Sequence, residues 1–380
     1  MDNFSFYNPT KIIFGKNTIP SIGREIKRNN IDKVLILAGS GSIRNNGVYD
    51  AVTTSLIDNK IQYTEQWGVR PNPTLDHANE TIEHTRINKI QAILAVGGGS
   101  VIDEAKSIAC GFYLDNLWDA FERKVAIANA LPIFTVLTLS GTCSEMDSFA
   151  VLSNQTENKK WPIGSELLFP KVSIIDPSVQ MSLPWHQTVN GAIDAMSHIM
   201  EFYFLGTNQE ITLSTDEAML RTLISSLDQL AINPKDYNAR ANIAWAATLA
   251  LNGISGIALN GGDWSTHRME HALSAFHPEI AHGAGLAVMF PAWIEYNKKF
   301  NRDHFNRWAK NVWDADSPET ALIAMKEKYQ NWGAPVTLRE LGIKKEEIPS
   351  LVKNTFSNGP IGALAALSFT DVANIFETAY

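Results

Sequence analysis

The chain has 380 residues, 45% hydrophobic and 19% charged, with a formal net charge of −8. That balance is ordinary for a globular protein of about two domains, and it argues against a nucleic-acid binder, which needs a basic face. Two cysteines, Cys110 and Cys143, exclude a disulfide scaffold and a four-thiolate metal site.

The N-terminal stretch Met1–Ile19 has neither the apolar core nor the small-residue cleavage pattern of a signal peptide. No run approaches the roughly 18 apolar residues of a membrane span. The expectation is a soluble cytoplasmic protein without repeats.

In chain order, the first half alternates β-branched runs with polar, helix-like stretches. Val34-Leu35-Ile36-Leu37-Ala38 ends in Gly39-Ser40-Gly41-Ser42, and Ala92-Ile93-Leu94-Ala95-Val96 ends in Gly97-Gly98-Gly99-Ser100. Ile133-Phe134-Thr135-Val136-Leu137 follows, then Val172-Ser173-Ile174-Ile175-Asp176, which Pro177 stops. Short continuous apolar runs between helical segments predict βαβ units and a parallel sheet buried on both faces. From about Pro184 the β-branched runs cease. Segments such as Asp216 to Leu230 and Ala239 to Leu251 have helical spacing, rich in Ala, Leu, Met and Trp. The expected fold is an α/β domain over residues 1–180 followed by an all-helical domain over 181–380, with the boundary near Asp176–Leu183.

Two turns of the first half bear on function. Gly97-Gly98-Gly99-Ser100 follows a strand and opens a helix. Glycines admit a ligand close to the backbone, and a helix N-terminus offers N–H groups suited to pyrophosphate. The competing reading is a tight turn with Ser100 as helix cap. The other turn, Gly39-Ser40 with Arg44 nearby, carries no acidic residue. A carboxylate there holds ribose hydroxyls but repels a 2′-phosphate, so this turn leans towards NADP over NAD.

In the second half Asp194 and His198 stand four residues apart on one helical face, as do His267 and His271. His277 and His282 follow, so four of the nine histidines fall between 267 and 282. One carboxylate with imidazoles suits Fe²⁺ or Zn²⁺ and disfavours Ca²⁺ or Mg²⁺. The alternative is that these histidines cap helices or fill polar gaps.

The sequence resembles the iron-containing alcohol dehydrogenase family over nearly its whole length, and within it the NADPH-dependent butanol dehydrogenase and aldehyde reductase branch. The resemblance rests on Phe4-Ser5-Phe6-Tyr7-Asn8-Pro9-Thr10-Lys11-Ile12-Ile13-Phe14-Gly15, Gly68-Val69-Arg70-Pro71-Asn72-Pro73 and Gly97-Gly98-Gly99-Ser100-Val101-Ile102-Asp103. It continues in Asp194-Ala195-Met196-Ser197-His198 and Gly261-Gly262-Asp263-Trp264-Ser265-Thr266-His267.

The resemblance implies the architecture shared with dehydroquinate synthase: an N-terminal dinucleotide-binding domain and a helical C-terminal domain. It implies a divalent ion, Fe²⁺ or Zn²⁺, on Asp194, His198, His267 and His282, with His271 close to substrate and nicotinamide. Gly97, Gly98, Gly99 and Ser100 match the pyrophosphate loop, with Asp103 just behind it. Thr138 and Thr142 match the threonines beside the cofactor, and Gly39 and Ser40 match the turn around the adenosine ribose. Asn72 and Asp147 complete the cofactor set. A homodimer is the family expectation.

The implied reaction is reversible hydride transfer between NADP(H) and a small aldehyde such as butyraldehyde. The metal acts as Lewis acid, and His271 is the candidate proton route, an imidazole titrating near neutral pH. Trp161, Phe149 and Phe276 are candidates to line the substrate pocket or to sit in plain core. Three departures from the family stand out. Cys143 replaces a usual Gly, Asp147 a usual Asn, and the interval from His267 to His282 is one residue longer than usual, which makes His277 a rival ligand to His282.

The nearest rival readings are a glycerol-type polyol dehydrogenase and a redox-silent dehydroquinate synthase-like enzyme. The latter would need basic residues to grip a phosphorylated acid, and those of the helical half, such as Lys298, Lys299 and Arg302, read as surface. A further rival is a non-catalytic dinucleotide module with a decayed metal site.

Overall fold

The computed structural model describes residues 3–259 and 261–380. Two compact units emerge. One comprises 8–183 together with 235–244. The other comprises 184–234 and 245–380, with the described residues before Asn8. The first division between them falls at Leu183/Pro184, with two exchanges. Segment 235–244 joins the α/β unit because Ala244 enters its apolar core and Lys16 sits over the Tyr237 ring at 4.1 Å. The N-terminal residues group with the helices, where Phe6 lies against Gly253.

Within the α/β unit the strands are β1 (Lys11–Phe14), β2 (Lys33–Ala38), β3 (Gln62–Gln66), β4 (Ala92–Gly98), β5 (Ile133–Leu139), β6 (Phe149–Asn154), β7 (Lys159–Gly164) and β8 (Val172–Ile175). Among the described residues one parallel sheet has the order β1-β8-β5-β4-β2-β3, and β6 and β7 form an antiparallel hairpin. The helices are α1 (Ile22–Arg28), α2 (Ser42–Asn45), α3 (Val48–Asp58), α4 (Leu75–Ile87), α5 (Gly99–Gly111) and α6 (Trp118–Phe121).

The sheet explains the continuous apolar runs. Leu35, Leu37, Ile93 and Ala95 face a core with Ala78, Ile82, Ile102 and Trp118 from α4, α5 and α6. The alternate residues Val34, Ile36, Leu94 and Val96 face a core with Ile22, Ile26, Val52 and Leu56 from α1 and α3. Both faces are covered, as parallel strands require.

The chain runs from β2 outward to β3, then crosses back to β4 on the other side of β2. The order therefore reverses between β2 and β4, and such a switch point opens a crevice at the carboxyl ends of the strands. The turns Gly39–Ser40 and Gly97–Ser100 stand at those ends.

The helical unit contains α7 (Trp185–Tyr203), α8 (Glu210–Ile232), the later part of α9 (Tyr237–Ala250), α10 (Ser265–Phe276), α11 (His282–Asn297), α12 (Arg302–Trp313), α13 (Pro318–Asn331), α14 (Ile348–Thr355) and α15 (Phe369–Ala379). α7 is buried on every side from Gly191 to Tyr203. No helix of the described residues is long and apolar enough to cross a membrane.

Candidate functional site

Asp194 and His198 project from adjacent turns of α7, buried to 4% and 6% exposure. Three helices converge on them because two glycines allow close packing. A Cβ on Gly283 would lie 2.0 Å from the Asn190 carbonyl oxygen of α7, so only glycine lets the start of α11 reach that helix. A Cβ on Gly285 would meet the Glu270 side chain at 2.7 Å, which fixes α11 against α10. The result brings His282 Nε2 to 3.7 Å from Asp194 Oδ1, while His198 Nδ1 lies 3.5 Å from the same oxygen. The His267 ring stacks on His198 with centroids 4.7 Å apart and lies 5.4 Å from that of His282. Donor atoms of Asp194, His267 and His282 all fall within 4.8 Å of one another.

Two buried carboxylates, absent from the sequence reading, orient two of these rings. Glu201 Oε1 sits 2.7 Å from His267 Nδ1 and also accepts the His267 backbone N–H at 3.2 Å. Its Oε2 accepts the Trp264 N–H at 2.6 Å. Glu270 engages Nδ1 of His282 through one oxygen and the Ser274 hydroxyl through the other. Both glutamates are fully buried. A carboxylate on Nδ1 assigns Nε2 to metal ligation and raises ligand basicity. Burial pushes the Glu201 carboxyl well above the ordinary range, with Asp263 adding to it. Burial also pushes His198 down, despite Asp194, towards the neutral imidazole that ligates metals.

The turn Gly261-Gly262-Asp263-Trp264 wraps Glu201. Its residues have φ of +82°, +84° and, at Trp264, +61°. A Cβ on Gly262 would strike the Trp264 indole at 2.6 Å. Asp263 anchors the turn by accepting the N–H groups of Ala363 and Leu364 at 2.7 and 2.8 Å.

Whether the residues fit a divalent ion is decided by the polar atoms left over. Asp194 Oδ1 and His198 Nδ1 are buried without a hydrogen-bond partner among the described residues. Orphaned buried donors and acceptors are costly unless something unseen satisfies them. A cation bound to one carboxylate and imidazoles does so, and the donor set suits Fe²⁺ or Zn²⁺. His277 stands apart from the cluster, at 2.8 Å from Glu347 and 3.4 Å from Glu279. The turn between α10 and α11 absorbs the longer interval, and it is His282 that joins Asp194. The His271 ring lies 5.5 Å from that of His282.

In the α/β unit, Gly39 and Ser40 follow β2, Asn72 follows β3, Gly97–Ser100 span the end of β4 and the first turn of α5, and Thr138 and Thr142 lie at and after the end of β5. The structure therefore gathers them along the carboxyl ends of the neighbouring strands β3, β2, β4 and β5. Packing explains the glycines. A Cβ on Gly97 would lie 2.4 Å from the Val101 side chain, and one on Gly99 would lie 2.2 Å from Thr142 Oγ1. Ser100 does not cap α5. Gly98 is its N-cap, with no side-chain hydrogen bond, so the helix N-terminus keeps backbone N–H groups for an anion.

Two carboxylates of the sequence-read cofactor set serve the scaffold. Asp103 accepts the Ser144 hydroxyl at 2.6 Å and the Val151 N–H at 3.0 Å. Asp147 accepts from the fully buried Lys106 ammonium at 2.5 Å and from the Phe149 N–H at 2.8 Å. Its negative charge is thus matched by Lys106, although burial pushes its carboxyl upward. Cys143 takes the left-handed conformation, φ +61°, that the replaced glycine would hold, and its side chain is buried.

Of the three aromatic candidates, Trp161 stacks on Trp118 with centroids 5.7 Å apart and packs on the α/β core. Phe149 and Phe276 are 48% and 40% exposed.

Comparison with known proteins bears on both units. The family model for iron-containing alcohol dehydrogenase matches residues 9–177, and that for the C-terminal part of the Fe-containing alcohol dehydrogenase family matches residues 188–380. NADH-dependent butanol dehydrogenase A of Clostridium acetobutylicum is 41% identical over 392 aligned positions, covering all of both chains. NADPH-dependent aldehyde reductase YqhD of Escherichia coli is 33% identical, with 94% of each chain covered. The crystal structure of NADH-dependent butanol dehydrogenase A from Thermotoga maritima superposes with a TM-score of 0.97 at 45% identity, covering 100% of this chain and 99% of the other.

Proposed function

Since the chain belongs to the iron-containing alcohol dehydrogenase family, and is an alcohol dehydrogenase in its general chemistry, we propose that it reversibly reduces small aliphatic aldehydes such as butyraldehyde with NADPH. The observation that carries the reading is the cluster of buried Asp194 and His267 with half-buried His282, beside buried His198, two of whose rings are aimed by Glu201 and Glu270.

These four residues would hold Fe²⁺ or Zn²⁺. When bound, the ion polarises a carbonyl and the nicotinamide supplies hydride. The protein's own part is orientation and charge. Glu201 and Glu270 lock the imidazoles and offset the cation. The packed faces of α7, α10 and α11 bury Asp194, His198 and His267, while His282 keeps a partly exposed side. His271, one turn beyond His267, is the residue we assign to relaying the proton to the developing alkoxide. In the α/β unit the Gly97–Ser100 turn receives the pyrophosphate on its helix N-terminus. Gly39 and Ser40 present no carboxylate to a 2′-phosphate.

A second reading, NADH as donor, is favoured by the names of the Clostridium and Thermotoga relatives. One assay tests both. NADPH and NADH oxidation with butyraldehyde is followed on metal-stripped protein, then after anaerobic addition of Fe²⁺ or Zn²⁺. Metal-restored turnover favouring NADPH supports the first reading, and turnover favouring NADH replaces it with the second. No turnover in metal-loaded protein that binds nucleotide refutes the aldehyde reductase reading.

A further inference from the structure

The segment between β3 and α4 is tied to the end of β2. The Gly68 N–H donates to the Gly39 carbonyl at 3.2 Å, and the Val69 N–H to the Ala38 carbonyl at 3.3 Å. Where this segment sits therefore fixes where the Gly39–Ser40 turn sits. Its other anchor is His77, in the first turn of α4. His77 Nε2 lies 3.0 Å from the Trp67 carbonyl oxygen, and Nδ1 lies 2.5 Å from Glu104 Oε1. Glu104 is fully buried on α5, the helix whose N-terminus carries the Gly97–Ser100 turn.

The proton inventory of this arrangement is constrained. A carbonyl only accepts, so Nε2 carries hydrogen and donates to Trp67. One further proton then lies between Nδ1 and the Glu104 carboxyl, and the pair as a whole is neutral whichever atom holds it. That neutrality makes a fully buried glutamate tolerable. The environment acts consistently. Burial pushes the Glu104 carboxyl up, and the hydrogen bond from Glu104 pushes His77 up.

No residue of the reading above uses this pair. We infer that His77 and Glu104 are positioning residues for the dinucleotide, a strap that holds the Gly39–Ser40 turn in fixed register with the Gly97–Ser100 turn across the β2/β4 switch point. The strap runs from Gly39 through Gly68 and Trp67 to His77, then through Glu104 into α5. It rests on the reading of these two turns as the cofactor cradle. Its effect is on nucleotide affinity and not on chemistry, because neither side chain belongs to the metal cluster or to the turns themselves.

The test is direct nucleotide binding to the full-length chain, read by the fluorescence of NADPH and of NADH, with steady-state constants alongside. His77→Phe removes both hydrogen bonds at similar volume. The expected result is binding weaker by about three- to tenfold, the worth of one such bond. The cofactor KM should rise to match, with kcat at saturating cofactor and the aldehyde KM unchanged. Glu104→Gln is the rescue, since its amide donates to Nδ1 while Nε2–H still reaches Trp67; binding should stay within about twofold of the parent. Glu104→Leu removes that partner and should fall between the two.

Undiminished binding by His77→Phe overturns the strap. So does a loss spread equally over kcat and aldehyde KM, or a Glu104→Gln as damaging as His77→Phe. Should His77→Phe fail to fold, the two Glu104 variants decide, and equal affinity in both overturns the proposal. A parent protein that binds neither nucleotide brings down the cradle reading and the strap with it. That outcome is distinct from a parent that binds and a His77→Phe that binds equally.

Discussion

In the helical unit the candidate chemistry is carried by side-chain atoms. Asp194, His267 and His282 bring donors from three helices within 4.8 Å of one another, His198 stacks on His267, and Glu201 and Glu270 lie behind them. In the α/β unit it is carried by backbone. The turns at Gly39–Ser40 and Gly97–Ser100 offer N–H groups at strand ends, while the nearby charged side chains Asp103, Lys106 and Asp147 bind one another's surroundings. The difference follows from the ligand. A cation needs lone pairs at set positions, whereas a long anionic cofactor needs room and donors, which glycine turns and helix ends supply. Substitutions of charged residues should therefore fail in different ways in the two units.

The largest effect is expected at the metal cluster. His267→Ala removes one ligand and strands Glu201 beside a cavity. Bound metal, measured by elemental analysis, should fall to background. Aldehyde reduction should drop by about three orders of magnitude, equivalent to the several kcal/mol a Lewis acid supplies. Nucleotide binding should survive. Retained metal and turnover would break the comparison at its first term.

Lys106→Met probes the other unit. It leaves the Asp147 carboxylate and the Asp147 and Phe149 carbonyls without the ammonium that joins them. Breaking a buried pair from one side costs about 3–5 kcal/mol, so the melting temperature should fall sharply. In protein that remains folded at low temperature, nucleotide affinity should hold. A selective loss of nucleotide affinity without loss of stability would give Lys106 and Asp147 a direct role at the cofactor.

Glu270→Gln sharpens the first term. Gln keeps the shape but not the charge behind His282, and metal affinity should weaken by roughly 10- to 100-fold. Competition with a chelator measures this. Unchanged affinity would reduce Glu270 to a packing residue beneath Gly285.

What the sequence made legible followed from local spacing. The runs of β2, β4, β5 and β8 stood out because both faces of those strands are buried, and Asp194/His198 and His267/His271 stood out because four residues make one helical turn. β3 was missed because Gln62-Tyr63-Thr64-Glu65-Gln66 is a polar edge strand. β1 and the β6–β7 hairpin are likewise short or half-exposed. Glu201 and Glu270 each lie three residues beyond a candidate ligand, His198 and His267 respectively, on the same helical face. That spacing was a usable signal. A glutamate on a helix is ordinarily solvated, however, and only the arrival of α10 beside α7 and of α11 beside α10 buries these two. The surroundings of Asp147 were hidden for the same reason. Its partner Lys106 is 41 residues away in sequence, and no local pattern announces the pair.

The smallest effect, at most about 1.4 kcal/mol when read one pH unit above the unfolded value, concerns an acid outside both sites and asks how much burial alone costs. Asp216 on α8 is fully buried, and neither carboxylate oxygen has a hydrogen-bond partner among the described residues. Burial pushes its carboxyl well above the ordinary range, and the neighbouring Glu217 pushes it further. Because the folded chain then holds this proton more tightly than the unfolded chain, stability is greatest below the unfolded value of about 4. It falls as pH rises from there towards the folded value, by at most about 1.4 kcal/mol per pH unit for one group. Asp216→Asn has nearly the same shape and does not titrate. The variant should melt with the parent near pH 4 and above it by a margin that widens as pH rises. A constant offset across pH would mean that Asp216 holds its proton no more tightly in the folded chain than in the unfolded one.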